Sequence, residues 1–244
     1  MRFLIWAWDY GEDSGGGIAL HRLAHNLATL GHFATLTCNT TADGWYGGIE
    51  GFRGARPGEI VIYPEIIEGN PQRGQRVVRW ILNQPGFFGP GNGDGVYGAD
   101  DLVMLWSRRF SVDPKYKIGG LLTAWRDLSH FRDYHRERLG ACYIVRKGMG
   151  DVLNQHEAEG YCIDDYGRRG GDAFLIETFN RVESFVCYDD NSLMPTLAHL
   201  CGVPRIWIAN GAKYMTRGEV LAATALADVQ TREFVAACKR QWPA

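Results

Sequence analysis

Two apolar runs on either side of a helical pattern occupy the first 38 residues. Arg2–Asp9 (RFLIWAWD) is short, apolar and aromatic, which predicts a buried strand. Ile18–Leu30 has apolar residues at helical spacing, and Gly31 is a natural helix end. Phe33–Cys38 (FATLTC) supplies a second strand. In such a unit the strands lie parallel and the crossover is right-handed, so the opening of the chain predicts an α/β fold.

The same alternation continues along the chain. Further strands are predicted at Glu59–Pro64, Arg73–Leu82 (a strand or a short helix-strand segment), Asp101–Trp106, Ala141–Val145, Ser184–Tyr188 and Pro204–Ala209, and further helices at Gly171–Asn180, Ser192–Cys201 and Arg217–Trp242. Asn83–Gly98 is rich in glycine, which predicts a long loop or lid. We therefore predict two Rossmann-like parallel-sheet domains, residues 1–115 and 116–225, followed by a C-terminal helix at 226–244.

Composition narrows the class of protein. No stretch approaches the roughly 20 consecutive apolar residues of a spanning helix, and Met1–Trp8 is too short for a secretion signal, so we expect a cytoplasmic protein without a membrane span. A net charge of −2 argues against dedicated nucleic-acid binding, and acidic residues dilute the basic stretch Arg126–Lys147. None of the six cysteines forms a C-x-x-C pair, so a zinc ribbon is not expected.

A glycine triplet after the first strand is the first candidate binding site. Gly15, Gly16 and Gly17 follow Ser14, and without a Cβ they let a ligand approach the backbone closely. The next helix offers its N–H groups and its positive dipole end to an anion. The dinucleotide fingerprint G-x-G-x-x-G is absent, because Leu20 stands where its third glycine belongs. The triplet thus predicts a phosphate-binding loop of another kind.

A second candidate site follows two later strands. Arg146 and Lys147 come directly after a buried strand, where a guanidinium fork and an ammonium group suit a diphosphate. A helix beginning at Asn191 or Ser192 is predicted to face the same crevice, with the amides of its first residues, Leu193 included, as further diphosphate ligands.

Two acidic residues stand beside that helix. Asp189 and Asp190 are predicted to cap the helix or to bind hydroxyl groups of the sugar or ribose. Because they are adjacent, they do not form the D-x-D pattern that holds a divalent metal, and we expect no metal dependence.

Three segments in this order resemble GT-B glycosyltransferases. They are SGGGIALHRLAHNLATLGH, YIVRKG and ESFVCYDDNSLMPTLAHLCGVPRIWI, and the resemblance extends from Arg2 to about Ile208. The segment YPEIIEGNPQRGQRVVRWILNQPG is similar to bacterial surface-polysaccharide transferases. The resemblance implies two domains facing across a cleft, the first binding the acceptor and the second a nucleotide-sugar donor, with no other cofactor. It also implies that Gly15, Gly16 and Gly17 bind the donor diphosphate together with the Arg146-Lys147 pair and the helix at Ser192. Many GT-B transferases carry a ribose-binding glutamate at the position where this chain has Leu197, which leaves Glu183, Asp190 and Ser192 as candidates.

The resemblance also implies a choice of catalytic groups. An inverting transferase needs a base near the acceptor hydroxyl. Asp9, Glu12 and Asp13 lie beside the glycine loop, and Asp13 is the favoured base. His21 and His25, one helical turn apart, are further candidates, of which we select His21. Trp45-Tyr46 and the loop Asn83–Gly98 are candidate acceptor surfaces, because sugars and bases both stack on aromatic rings.

Three other functions compete with a glycan-directed transferase. In the first, the acceptor is a hydroxymethylated pyrimidine in DNA. Salt-sensitive binding of the protein to duplex DNA would support this alternative. A binding module for nucleotide sugars without turnover is the second alternative. A NAD-dependent oxidoreductase is the third, and Cys38-Asn39 at the end of the second strand, where an acidic residue belongs, counts against it.

Overall fold

The computed structural model describes residues 1–87, 97–124, 127–146, 160–189, 192–211 and 213–243. The chain divides into two compact units, one formed by Met1–Arg126 with Ala223–Ala244 and the other by Asp127–Ala222. Each unit contains its own parallel sheet. Among the described residues, no helix has the length and apolar character that crossing a bilayer requires.

The first unit contains a seven-stranded sheet whose neighbouring strands all pair in parallel. Its strands, in chain order, are β1 (Arg2–Ile5), β2 (Phe33–Leu36), β3 (Gly48–Ile49), β4 (Ile60–Pro64), β5 (Arg76–Ile81), β6 (Leu102–Leu105) and β7 (Lys117–Leu121). In space the order is β3-β2-β1-β4-β5-β6-β7. The predicted parallel pairing of the first two strands is confirmed, with Phe3 opposite Ala34.

Helices cover one face of this sheet. Helix α1 (Gly15–Thr29) and the C-terminal part of helix α4 (Arg217–Gln241) bring Leu23 and Phe234 into a buried cluster with Trp80. Burying a large apolar side chain contributes about 1.5–3 kcal/mol, so each of these three side chains stabilises the unit on that scale. The opposite face is apolar too: Leu4, Val61 and the ring of Tyr63 are buried there.

The second unit contains a four-stranded parallel sheet in the order β11-β10-β8-β9. Its strands are β8 (Ala141–Ile144), β9 (Gly160–Cys162), β10 (Ser184–Cys187) and β11 (Arg205–Ile208), and its helices are α2 (Gly171–Phe179) and α3 (Met194–Leu200). The ring of Phe179 in α2 meets that of Phe185 in β10 edge to face, with their centroids 5.0 Å apart. Both sheets agree with the predicted α/β class and with two Rossmann-like units.

Four elements differ from the sequence prediction. Lys117–Leu121, which the sequence analysis grouped with the second half, pairs with β6 in the first sheet, where Leu102 lies opposite Lys117. The short strands β3 and β9 were not predicted. Helix α3 begins at Met194 and not at Asn191 or Ser192, because the Ser192 amide closes a turn onto the Asp189 carbonyl (3.2 Å), ahead of a proline in the first helical turn.

Candidate functional sites of the two units

The strand order of the first sheet reverses between β1 and β4. From β1 the chain passes through α1 to β2 on one side, whereas β4 pairs with β5 on the other side. In open parallel sheets, ligands bind outside the carboxyl ends of the strands at such a reversal. The segments that follow β1 and β4, together with the start of α1, therefore form the candidate site of this unit.

The glycine triplet begins α1 at this edge. Ser14 is the N-cap, with extended backbone, and its hydroxyl oxygen accepts a hydrogen bond of 3.1 Å from the Gly17 amide. A Cβ on Gly17 would lie 2.8 Å from the Trp8 indole nitrogen, so packing explains that glycine. A Cβ on Gly15 would meet no atom within 4 Å. Gly15 and Gly16 therefore remain the members of the triplet that a ligand can approach.

His21, the histidine selected as a catalytic candidate, is fully buried. Its Nε2 lies 2.9 Å from the Trp8 carbonyl oxygen, which can only accept, so the proton is on Nε2. Nδ1 then accepts from the Thr41 hydroxyl, also at 2.9 Å. Burial lowers the pKa of His21, which favours this neutral ring. His21 thus holds two loops in place, which makes it a positioning residue for the site.

The three acidic candidates for a base have different surroundings. Asp9 accepts hydrogen bonds from the backbone amides of Asn39 (2.6 Å) and Thr40 (3.3 Å), and the bond from Asn39 lowers the pKa of Asp9. It joins the loops after β1 and β2. Asp13 lies exposed just before the N-cap of α1, whereas Glu12 is half-buried. Of the three, Asp13 is the exposed carboxylate nearest in sequence to the glycines that begin α1.

Two buried polar residues at the same edge were missed by sequence reasoning. Glu65 directly follows β4, and its carboxylate accepts from the Leu82 amide at 2.9 Å. Asn83 lies just beyond β5, and its side-chain oxygen accepts from the Gln84 amide at 2.8 Å. The Asn83 Nδ2 is buried without a hydrogen-bond partner in the described part of the chain. Their signal in the sequence was a polar residue at the end of an apolar strand.

In the second unit, Arg146 follows β8 at the carboxyl edge. Its backbone has a φ of +37°, and its amide and that of Val145 donate to the Asp164 carboxylate. Its guanidinium donates to the Tyr166 hydroxyl at 2.9 Å and lies 5.4 Å from the centre of that ring. Asp164 and Tyr166 thus fix the position of Arg146. Lys147, predicted beside it, lies outside the described residues.

Asp189 and Ser192 lie beyond the neighbouring strand, β10. Asp189 is buried, and the Ser192 hydroxyl oxygen accepts from the Met194 amide at 3.2 Å. Leu193 is the N-cap position of α3, whereas Asp190 and Asn191 lie outside the described residues. Because β8 and β10 are parallel neighbours, Arg146, Asp189 and Ser192 follow strand ends at one edge of the sheet. The structure thus brings part of the predicted donor site to one edge.

Glu183 is placed elsewhere. It immediately precedes β10, at the amino end of that strand, and pairs with Arg205 at 3.1 Å. The four residues of β10 and Tyr188 lie between Glu183 and Asp189, and the strand alone spans about 13 Å at about 3.3 Å per residue. The structure therefore does not bring Glu183 to the predicted ribose site.

Two arginines of the basic stretch Arg126–Lys147, Arg136 and Arg138, have acidic partners. Arg136 pairs with Glu177, and Arg138 donates to Asp133 at 2.9 Å and to the Cys201 carbonyl at 2.7 Å. A continuous basic groove for nucleic acid would need these guanidinium groups to face solvent without acidic partners.

Comparison with known proteins adds no family to these observations. No protein-family model matches the chain, and no curated protein matches it.

Within the described ranges, no group of three histidine, cysteine, aspartate or glutamate residues is arranged to hold a metal ion.

Proposed function

We propose that the chain is a glycosyltransferase that moves a sugar from a nucleotide-diphosphate sugar to an acceptor hydroxyl. The observation that carries the proposal is the pair of parallel sheets, each with polar groups at its carboxyl edge. That edge is where parallel α/β units bind nucleotides and phosphates. The proposal assigns the acceptor to the first unit and the donor to the second, the division of roles in a GT-B transferase.

In this proposal, Arg146 and Ser192 bind the diphosphate of the donor. A guanidinium held against a tyrosine ring donates to phosphate oxygens with little loss of side-chain freedom. Lys147, Asn191 and Leu193 belong to the same proposed site, and Asp189 and Asp190 to the proposed sugar and ribose contacts. These groups stabilise the charge that develops on the departing nucleotide diphosphate.

The transfer itself exchanges one bond for another. The acceptor oxygen forms a bond to the anomeric carbon, and the bond from that carbon to the phosphate oxygen breaks. The nucleotide diphosphate leaves with the bonding electrons, and the acceptor proton is taken by a base. Asp13 is the proposed base, because it is exposed beside the Ser14-capped helix. His21 supports it indirectly by fixing the Trp8 and Thr41 loops.

The donor site is tested by replacing Arg146 with alanine. Loss of charge-assisted hydrogen bonds should weaken nucleoside-diphosphate binding by about 1.5–3 kcal/mol, and Lys147→Ala should act similarly. Isothermal calorimetry with UDP, GDP and dTDP measures the effect. Arg181→Ala is the matched control, because Arg181 is exposed, lies beyond the end of α2 and pairs with Glu177 of that helix. Equal affinities for the Arg146→Ala variant and the parent protein would remove Arg146 from the donor site.

The proposed mechanism does not assign a metal ion to leaving-group stabilisation. We therefore expect sugar transfer, or slow hydrolysis of the nucleotide sugar, to continue unchanged after EDTA treatment. The measurement is release of nucleoside diphosphate before and after chelation. Activity that disappears with EDTA and returns with manganese would contradict this part of the mechanism.

A further inference from the structure

The first unit carries an aromatic surface that the donor site does not use. Tyr10, Trp45 and Tyr46 form it, and we refer to these three residues as the aromatic ledge. The rings of Tyr10 and Trp45 are 5.6 Å apart, edge to face. Tyr46 is stacked on His25 at 5.2 Å with an angle of 8° between the rings, yet 67% of Tyr46 is exposed. One side of Tyr46 is thus supported by His25 while much of its surface faces solvent.

Backbone hydrogen bonds hold the ledge in place. The Tyr46 amide donates to Nδ1 of His25 at 2.9 Å, and the Trp45 amide closes a turn onto the Ala42 carbonyl at 3.2 Å. The Tyr10 amide donates to the Thr40 hydroxyl oxygen, also at 3.2 Å. An aromatic surface fixed in this way binds a ligand with a smaller entropic cost of ordering its own side chains.

The charges around the ledge indicate which kind of ligand it accepts. In the sequence, Asp9 directly precedes Tyr10, Asp13 follows it by three residues, and Asp43 precedes Trp45 by two, and all three are exposed. Arg22 is held 5.5 Å from the Trp45 ring. An acidic rim repels the phosphates of a nucleic acid. Carboxylates accept hydrogen bonds from hydroxyl groups, which a sugar presents around its ring.

We propose that the aromatic ledge binds a neutral carbohydrate, which is the acceptor of the transfer reaction. This inference rests on the proposed function and narrows it, because it selects a glycan over a base in DNA as the acceptor. An apolar face of the sugar ring packs on Tyr46 and Trp45, and its hydroxyl groups reach the acidic rim. Asp13 belongs to that rim, so the proposed base lies on the same side as the acceptor.

The inference is tested with the full chain and three neutral disaccharides: cellobiose, maltose and lactose. Saturation-transfer NMR at millimolar concentrations should detect binding of at least one of them. Tyr46→Ala should weaken that binding at least about fivefold, whereas Tyr46→Phe, which keeps the ring, should change it less than about twofold. Phe33→Ala is the matched control, because Phe33 is equally exposed (70%) but begins β2 beside Arg2. A thermal unfolding curve for each variant establishes that the fold is retained.

Three results would overturn the inference: no binding of any disaccharide, binding that Tyr46→Ala leaves unchanged, or salt-sensitive binding of a short oligothymidylate at the ledge. Calorimetry with nucleoside diphosphates separates these failures from failure of the proposed function. Diphosphate binding without saccharide binding rejects the ledge and leaves the transferase proposal standing. Saccharide binding without diphosphate binding supports the ledge as a carbohydrate site and rejects the transferase.

Discussion

Replacing Arg79 with methionine is expected to destabilise the first unit by about 3–5 kcal/mol, because the substitution leaves the Asp101 carboxylate buried without its counter-ion. Arg79 is almost completely buried in the middle of β5, and its Nε donates to Asp101 at 2.7 Å. Its other nitrogens donate to the carbonyl oxygens of Ile67 (2.7 Å) and Gly69. The guanidinium also lies 4.8 Å from the centre of the Tyr63 ring.

The design of this experiment separates the ion pair from general damage to β5. Arg76→Met removes a partly exposed arginine of the same strand and should cost no more than about 0.5 kcal/mol. The double variant Arg79→Met/Asp101→Asn removes both charges. Its loss of free energy of unfolding should be smaller than the sum of the losses in the single variants Arg79→Met and Asp101→Asn. Such non-additivity is the signature of a direct pair.

Tryptophan fluorescence during urea unfolding is a suitable measurement for the first unit. Trp207 is the single tryptophan in the sequence of the second unit, and the other seven belong to the first. An Arg79→Met midpoint equal to that of Arg76→Met would show that the buried pair does not stabilise the unit. A change in the slope of the transition would instead indicate loss of two-state unfolding.

The alternating strands were predictable because an apolar run bounded by glycine or polar residues is a strong signal. Ile60–Pro64 and Ser184–Cys187 are examples in which every residue, or all but the first, is buried. Strands β3 and β9 carry no such signal: Gly48–Ile49 is two residues long, and Gly160–Cys162 is three. Pairing with a neighbouring strand stabilises short strands of this kind, and that contact is not local in sequence.

Buried polar residues were the least predictable part of both units. His21 lies three residues after Ile18, on the apolar side of α1, so its burial had a signal in the helical spacing. Its partners, the Trp8 carbonyl and Thr41, lie in loops that only the folded chain brings together. Arg79 has its counter-ion 22 residues away, in the turn before β6. Residue type and periodicity do not contain such pairings.

The candidate site was predicted best where chemistry and strand ends coincide. Arg146 follows β8, and Asp189 and Ser192 follow the parallel neighbour β10, so these three residues lie at one edge of the sheet, as expected for residues after the carboxyl ends of parallel strands. Glu183 was assigned by residue type alone, and its position before β10 puts it at the other end of the strand. The location of a residue relative to its strand is therefore a more useful guide to the site than its side-chain chemistry.

Replacing Gly202 with alanine is expected to destabilise the second unit strongly. Gly202 follows α3 with a φ of +77°, a conformation that costs a residue with a Cβ about 1–2 kcal/mol. A Cβ there would also lie 2.3 Å from an oxygen of Asp133. Asp133 cannot move away without loss, because its other oxygen accepts from Arg138 at 2.9 Å. Overpacking of this kind adds about 1–3 kcal/mol, so Gly202→Ala should destabilise the unit by roughly 2–5 kcal/mol in total.

Gly31→Ala is the matched control, because it adds a Cβ at a left-handed backbone position without steric overlap. Gly31 follows α1 with a φ of +80°, and a Cβ there would meet no atom within 4 Å. Gly31→Ala should therefore cost only about 1–2 kcal/mol. Amide hydrogen exchange measures both effects locally, in α3 for the first variant and in α1 for the second. If the two variants lost equal free energy of unfolding, Asp133 would have moved away from the added Cβ without weakening its hydrogen bond with Arg138. The packing of Asp133 against the end of α3 would then contribute little to the stability of this unit.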